Sequence, residues 1–387
     1  MNGAVPIPVT LPDLARFYPR ADWVWVGTQL FALAVPVAFL LLGLSPRLRA
    51  FCDQAAGGKR YRAVTTFACL YLAIAAVLTL PVGYFADILF RRAWHGPTPT
   101  SAEWLVGQGV VLLRECILAA ALVWIPYAFL RRAPRTWWLW STAVLLPLLT
   151  TALAVYQLVL TPLWTPYRNP DPILAGRFEA LAERCGLRHL PIYLFGGPGE
   201  TVIGVGPFRR ILVTDDPNLS ADEQIVLFAH ELKHYLLDDT WKPIVMAAAL
   251  LVAGLWLVEV LGRAAIRSFR GRLGFSELSD PASFPLAVFI LSLSWLAIGL
   301  PLFNAVSRHI ELQADRFALE ITHLNRAEGL AQIHFAKYQL NEYYWFYRIW
   351  RADHPSQSER VRLANTYHPW TTGGRSVYSS LCRMPSR

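Results

Sequence analysis

Six stretches of this 387-residue chain are apolar over lengths that an exposed helix in water does not tolerate. They run roughly from Trp23 to Leu44, Val64 to Leu89, Leu105 to Leu130, Trp137 to Leu163, Ile244 to Val260 and Phe284 to Asn304. About 20 apolar residues cross the hydrocarbon core of a bilayer as a helix, which satisfies its own backbone polar groups where no water can. Composition agrees, with 55% hydrophobic and only 16% charged residues, against about a quarter charged in an ordinary soluble domain. Tryptophan and tyrosine crowd the ends of the stretches, at Trp23, Trp25, Trp137, Trp138, Trp164 and Tyr167, as expected where rings settle at the headgroup level. The first stretch has no basic leader and no small-residue cleavage site, so it reads as a retained span. The chain is expected to be a multi-pass integral membrane protein, mainly α, with the bilayer as its solvent.

The net charge of +9 is concentrated in short loops. Arg47, Arg49, Lys59, Arg60 and Arg62 follow the first span, Arg131, Arg132 and Arg135 the third, and Arg263, Arg267, Arg270 and Arg272 the fifth. That is the pattern of topology-setting charge rather than of nucleic-acid binding. All three loops fall on one side, and the N-terminus on the other. The five cysteines are odd in number and contain no C-x-x-C, so neither a disulfide framework nor a thiolate zinc site is expected.

Composition also divides the chain. Residues 1–165 read as a four-span membrane region, 166–241 as a polar stretch, 242–306 as a two-span hairpin, 307–370 as a second polar stretch and 371–387 as a poorly ordered tail. Within the first polar stretch, Ile173 to Cys185 has helical spacing, with Gly186 as its stop. "PIYLF", "TVIGV" and "RRILVT" read as short strands, the second flanked by Gly-Pro turns. Ser220 and Glu223 form a capping box that opens a further helix.

That helix carries "HELKH". In H-E-x-x-H the two histidines, His230 and His234, lie on one helical face and can bind one ion. Glu231 is placed to serve as general base toward an activated water. A catalytic zinc site takes three protein ligands and leaves a position open. Downstream, "NAVSRHIELQADRFALE" sets Glu311 and Asp315 four residues apart on one face. Glu311 suits the third ligand, with His309 as its rival, and Asp315 suits an acceptor for an imidazole N–H. Two spans separate His234 from Glu311, so both ligand segments emerge on the same side of the membrane.

With these blocks in order, the chain resembles the type I CAAX prenyl protease family of integral-membrane zinc metalloproteases and its bacterial heat-shock relatives. The likeness extends through "GVGPFRRILVTDD", "LGFSELSDPASFPLAVFILSL" and "WFYRIWRADHPSQSERVRLA", and so covers about half the chain. It implies a zinc endopeptidase with one Zn2+ per chain, built as a membrane helix bundle with a small α+β catalytic domain. It matches His230, His234 and Glu311 to the zinc ligands, Glu231 to the general base and Asp315 to the orienting carboxylate. It matches His354 to a histidine that helps stabilise the oxyanion, and gives Arg360 a structural place. Thr201, Val202, Ile203, Gly204 and Val205 correspond to an edge strand that pairs with an extended polypeptide substrate. Lys233, Tyr235 and Asp239 depart from the CAAX pattern H-E-x-G-H-W with its further histidine. An aspartate such as Asp239 is typical of the heat-shock branch. Asp238 and Asp239 read either as groups that support a ligand or as the polar end of the helix. The resemblance implies a cytosolic site in a prokaryotic plasma membrane, whereas the basic loops place the site outside. A scaffold or transporter with a structural zinc is the rival reading, as is CAAX-type processing against quality control within the protease reading.

Other residues carry weaker signals. Arg114 and Glu115, near the middle of the third span, are expected to line a polar chamber, the alternative being a buried pair with each other or with neighbouring helices. Glu259 is expected at the interface, and "EYYWFYRIW" as an interfacial belt or core packing rather than the alternative, a substrate-binding wall. His95, His189, His323, His334 and His368 have no partner spacing and read as ordinary.

Overall fold

The computed structural model describes residues 4–196, 200–269, 271–337 and 339–385, so Arg270 and the Gly197–Pro198 turn lie outside the described residues. The fold is mainly helical. Among the described residues, six helices are long and apolar enough to cross a membrane, namely Pro12–Leu41, Arg60–Ala93, Ser101–Arg132, Trp137–Leu163, Trp241–Ser268 and Pro281–Thr322. Most outrun the apolar stretch that announces them because local chemistry extends their ends. Ahead of the third, Thr100 accepts from the Glu103 N–H at 3.2 Å while the Glu103 carboxylate accepts from the Thr100 N–H at 2.8 Å, a reciprocal cap. The last helix continues past its apolar part and carries Glu311 and Asp315.

The chain separates into two compact units. The first is formed by Met1–Arg16, Leu149–Ala247 and Leu300–Arg387, the second by Phe17–Leu148 and Ala248–Gly299.

The second unit is apolar inside and out. Phe39 and Phe67 are buried, and Tyr71 packs edge-on against Phe39 and Phe284 at 4.9 and 5.4 Å. Val106 and Leu113, by contrast, are 67% and 61% exposed, a surface suited to lipid rather than water. The basic loops gather within this unit. Arg49 pairs with Asp280, and the Arg263 guanidinium donates to the Pro134 carbonyl at 3.0 Å. Glu259 pairs with Arg263 and accepts from the Trp137 indole at 2.8 Å. Arg114 and Glu115 pair with each other at 2.9 Å. Of the two, Glu115 reaches a cavity of about 650 Å³, beside Gln108 and Asp87.

The first unit is built on a three-stranded sheet of β1 (Ile192–Phe195), β2 (Thr201–Ile203) and β3 (Arg210–Thr214), ordered β1-β3-β2. β1 lies parallel and β2 antiparallel to the central β3. β3 is buried along most of its length. β2 is an edge strand, as expected, but stops at Ile203. Gly204 sits at φ +83°, where a Cβ would come within 2.5 Å of the Phe208 carbonyl oxygen. Only glycine tolerates that turn, so Gly204 and Val205 leave the strand and enter the turn Gly206–Phe208.

Behind the sheet, Phe178 of the helix Pro172–Arg184 stacks on Phe228 at 4.4 Å, both fully buried, with Ile211, Val213 and Phe317 completing the core. The helix starts where Asp171 accepts from the N–H groups of Ile173 and Leu174 and ends before Gly186 at φ +75°.

Two expectations fail here. The tail is ordered rather than loose: Glu320, fully buried on the last long helix, accepts from the N–H groups of Val377 and Tyr378 at 3.0 and 2.8 Å. A buried carboxylate without donors is costly, and the tail supplies them. Cysteine pairing also occurs, between Cys185 at the end of the helix Pro172–Arg184 and Cys382 in that tail. Spacing could not reveal a bridge across 197 residues.

Candidate metal centre

The motif helix, Ala221–Leu236, begins at the predicted capping box. Ser220 Oγ accepts from the Glu223 N–H at 3.3 Å, and Glu223 accepts from the Ser220 N–H at 2.7 Å. From there Ile225, Val226, Phe228, Ala229 and Leu232 turn into the core, which fixes the helix's rotation. His230, Glu231 and His234 then face the helix Leu300–Thr322, and donor atoms of His230, His234 and Glu311 all lie within 4.8 Å of one another.

The two Nε2 atoms are 3.2 Å apart. Glu311 oxygens lie 3.0 Å from that of His230 and 3.7 Å from that of His234. Zinc bonds of about 2.0–2.1 Å in a tetrahedron give edges of about 3.3–3.4 Å, and the three separations, the last two to different Glu311 oxygens, lie on either side of that value. Proton bookkeeping points the same way. His230 Nδ1 is 2.9 Å from Asp315 Oδ1, and His234 Nδ1 is 2.8 Å from Asp239 Oδ2. Each carboxylate takes the Nδ1–H and thereby fixes the tautomer, leaving an Nε2 lone pair on each ring. Two lone pairs and a carboxylate gathered at one place suit a cation. The donor set therefore fits zinc.

Glu231 is buried beside the ligands, with Oε1 4.0 Å from His230 Nε2. Burial pushes its carboxyl up to about 8, near the working range of a general base. His354 lies across the site, its Nε2 3.7 Å from Glu311 and its Nδ1 3.0 Å from Asp353. The hydrogen bond that His354 donates to Asp353 raises its pKa. A cavity of about 960 Å³ opens over these groups, lined by Glu200, Glu231, Glu311, Tyr343, Tyr347 and His354 among others.

The remaining expected residues fall as follows. His309, the rival ligand, turns outward and meets Gln313 at 3.0 Å. Arg360 forms a bidentate pair with Asp315, at 3.0 Å through Nε and 2.5 Å through Nη2, so its structural place is to hold the carboxylate that holds His230. Tyr343 and Tyr347 line the cavity, which fits the substrate-wall alternative for their cluster rather than the favoured belt or core. His334 is not ordinary, since it lines the same cavity and meets Asp216 at 2.9 Å. No spacing signal marks it, because its helix, Asn325–Ala336, is brought in by tertiary packing. Sequence reasoning also missed Lys233 as a structural part. It is fully buried, reaching Asp239 at 2.5 Å and the Ile310 carbonyl at 3.1 Å.

Comparison with known proteins converges on the same chemistry. Residues 202–367 match Peptidase family M48. The chain is 25% identical over 371 residues to the metalloprotease YhfN of Bacillus subtilis (strain 168), covering 88% of this chain and 83% of that protein. It is 27% identical over 234 residues to the CAAX prenyl protease 1 homolog of Dictyostelium discoideum, covering 58% and 54% of the two chains. The crystal structure of S. mikatae Ste24p superposes with a TM-score of 0.73 at 18% identity, over 94% of this chain and 92% of that one, a likeness of fold.

Proposed function

We propose that this membrane zinc metalloprotease, whose residues 202–367 form an M48 peptidase domain, hydrolyses internal peptide bonds of extended, hydrophobic or membrane-associated polypeptides. The observation that carries the reading is the convergence of His230, His234 and Glu311 with Glu231 at the floor of the cavity. When bound, zinc supplies the Lewis acid that polarises the scissile carbonyl and acidifies a water. Glu231 takes the proton from the attacking water and delivers it to the leaving amine. His354, free to face the cavity through Nε2, donates to the developing oxyanion. Asp315 and Asp239 keep the imidazoles in the ligating tautomer. β2, the sheet edge nearest in sequence to the cavity residue Glu200, offers backbone groups to an extended substrate by strand addition.

The extended-polypeptide reading is favoured over prenyl-directed processing by the motif itself. In place of the CAAX-type glycine and tryptophan stand Lys233 and Tyr235, and Lys233 is used to anchor Asp239. A prokaryotic plasma membrane fits the bacterial relative matched along most of its length. The test compares wild type with Glu231→Gln on an unfolded membrane protein and on a farnesylated peptide. Zinc content should be unchanged and cleavage of the unfolded protein lost in the variant. Wild-type cleavage by Glu231→Gln would overturn the catalytic assignment, and preference for the farnesylated peptide would overturn the substrate class.

A further inference from the structure

We infer that the peptidase unit works on the oxidising, extracytoplasmic face of its membrane, so that its substrates are exported polypeptides and outward-facing segments of membrane proteins rather than cytosolic tails. Three independent observations carry this inference, and as to substrates it rests on the protease reading above.

The first is the distribution of cysteine. Cys185 and Cys382, both in the peptidase unit, form a disulfide, and both are buried. Around the bridge, the Arg383 N–H donates to the Arg184 carbonyl at 2.9 Å and the Arg184 side chain donates back to the Arg383 carbonyl, so the tail is joined to the helix as a structural part. Such bridges persist in oxidising compartments and are rare among cytosolic proteins. The three free cysteines lie elsewhere. Cys69 and Cys116 are within spans, and Cys52 is in the helix Leu44–Ala55 of the first basic loop.

The second is the side on which each segment emerges. Four spans separate the N-terminal arm from the first half of the peptidase domain, and two more separate its halves. All three segments therefore emerge on one side. The arm supports this by docking on the unit itself. The Val5 N–H donates to Asn365 at 2.9 Å, and Asn365 returns a bond to the Val5 carbonyl at 2.8 Å. Ser358 donates to the Pro8 carbonyl, and the Asn341 N–H donates to Thr10, both at 2.9 Å. The three loops after the first, third and fifth spans must then lie on the opposite side.

The third is charge. Those three loops and their flanks carry twelve Lys and Arg residues, whereas the arm and the loop after the second span carry four, Arg16, Arg20, Arg91 and Arg92. Residues close to the span ends count in this rule even where the segment is long; Arg168, Arg177, Lys233, Lys242, Arg308 and Arg316 then bring the peptidase side to ten, and the loop side keeps the excess. The basic side is cytoplasmic, and the peptidase unit is outside.

Two exposed positions decide the matter in the full-length protein. Thr372→Cys in the peptidase unit and Lys59→Cys in the first basic loop are treated with a membrane-impermeant maleimide in intact cells, before and after detergent lysis. The 372 cysteine should label in intact cells and the 59 cysteine only after lysis. A C-terminal epitope on the otherwise native chain should likewise be removed by external protease. In denatured, thiol-trapped wild type, three cysteines should react without reductant and five with it. Protection of position 372 and of the epitope until lysis would overturn the inference, as would five reactive thiols without reductant. None of these readouts uses proteolytic activity. A failed cleavage assay with an exposed position 372 would sink the protease reading alone, and a protected position 372 in an active enzyme would sink the orientation alone.

Discussion

The two imidazoles of the metal site are supported by carboxylates that are themselves held in different ways. Behind His230, Asp315 is fully enclosed and clasped by the guanidinium of Arg360, with Glu328 3.8 Å from the same guanidinium. Behind His234, Asp239 is held by two ammonium groups, Lys233 and Lys242, each at 2.5 Å. Arginine cannot shed its proton inside a protein, whereas lysine can. Burial already pushes Lys233 below the ordinary lysine range. The His230 side is therefore a fixed electrostatic brace and the His234 side an adaptable one. The same mutation on the two sides should give different results.

The largest effect is expected from Arg360→Leu. It leaves Asp315 and Glu328 as buried neighbouring carboxylates, where burial and the Asp315 charge already push Glu328 up to about 7. Breaking a buried pair by removing one partner costs about 3–5 kcal/mol. Thermal unfolding in detergent should show a large drop in Tm, with loss of zinc. An unchanged Tm would remove the brace from the argument.

Next come Asp315→Asn and Asp239→Asn as a matched pair. Both disturb the tautomer of a ligand, and both should weaken zinc binding by about 10–100-fold, read by competition with a chelator. Stability should separate them. Asp315→Asn leaves the buried Arg360 charge with only the more distant Glu328 opposite it, whereas Asp239→Asn lets Lys233 become neutral. The first should lose more Tm than the second. Equal losses would mean that the cations behind the carboxylates do not matter.

Lys242→Met should be milder still. Its side chain is 42% exposed, and an exposed ion pair contributes about 0–1 kcal/mol. Zinc affinity and cleavage should stay within a few-fold of wild type.

This asymmetry also explains which parts of the site could be read in advance. Asp315 was legible because it stands one helical turn after Glu311 on the same face. Glu311 was legible because two spans return its helix to the side of His234. The spans themselves declare their solvent through unbroken apolar runs. Asp239 entered only as a departure from a motif, because its carboxylate is aimed by a turn rather than by helical periodicity. Cys185–Cys382, the capture of the tail by Glu320, and His334 in the cavity depend on contacts between distant segments, for which local spacing carries no signal. Gly204 is an intermediate case. Its presence in "TVIGV" was visible, but its role as the end of β2 follows from a close approach to the Phe208 carbonyl.

The turn that aims Asp239 supplies the finest test of the comparison. The motif helix ends with the Asp239 N–H donating to the His234 carbonyl at 3.0 Å and the Asp238 N–H to the Tyr235 carbonyl at 3.4 Å, while Asp238 sits at φ 52°. This pair of bonds is the Schellman termination, which usually places glycine at the left-handed position. Asp238 stays there with the help of Arg209, 3.2 Å away. Asp238→Gly should relieve about 1–2 kcal/mol of backbone strain while losing the half-exposed pair and raising the entropy of the unfolded chain. These effects nearly cancel, so stability and zinc affinity should remain close to wild type. Asp238→Val tests the same turn from the other direction, because a β-branched residue resists φ near 52°. If the turn aims Asp239, the valine variant should weaken zinc binding toward the level of Asp239→Asn while the glycine variant does not. Equal zinc affinity in the two variants would show that Asp239 finds His234 without that turn, and that the adaptable side of the site is more permissive than its hydrogen bonds imply.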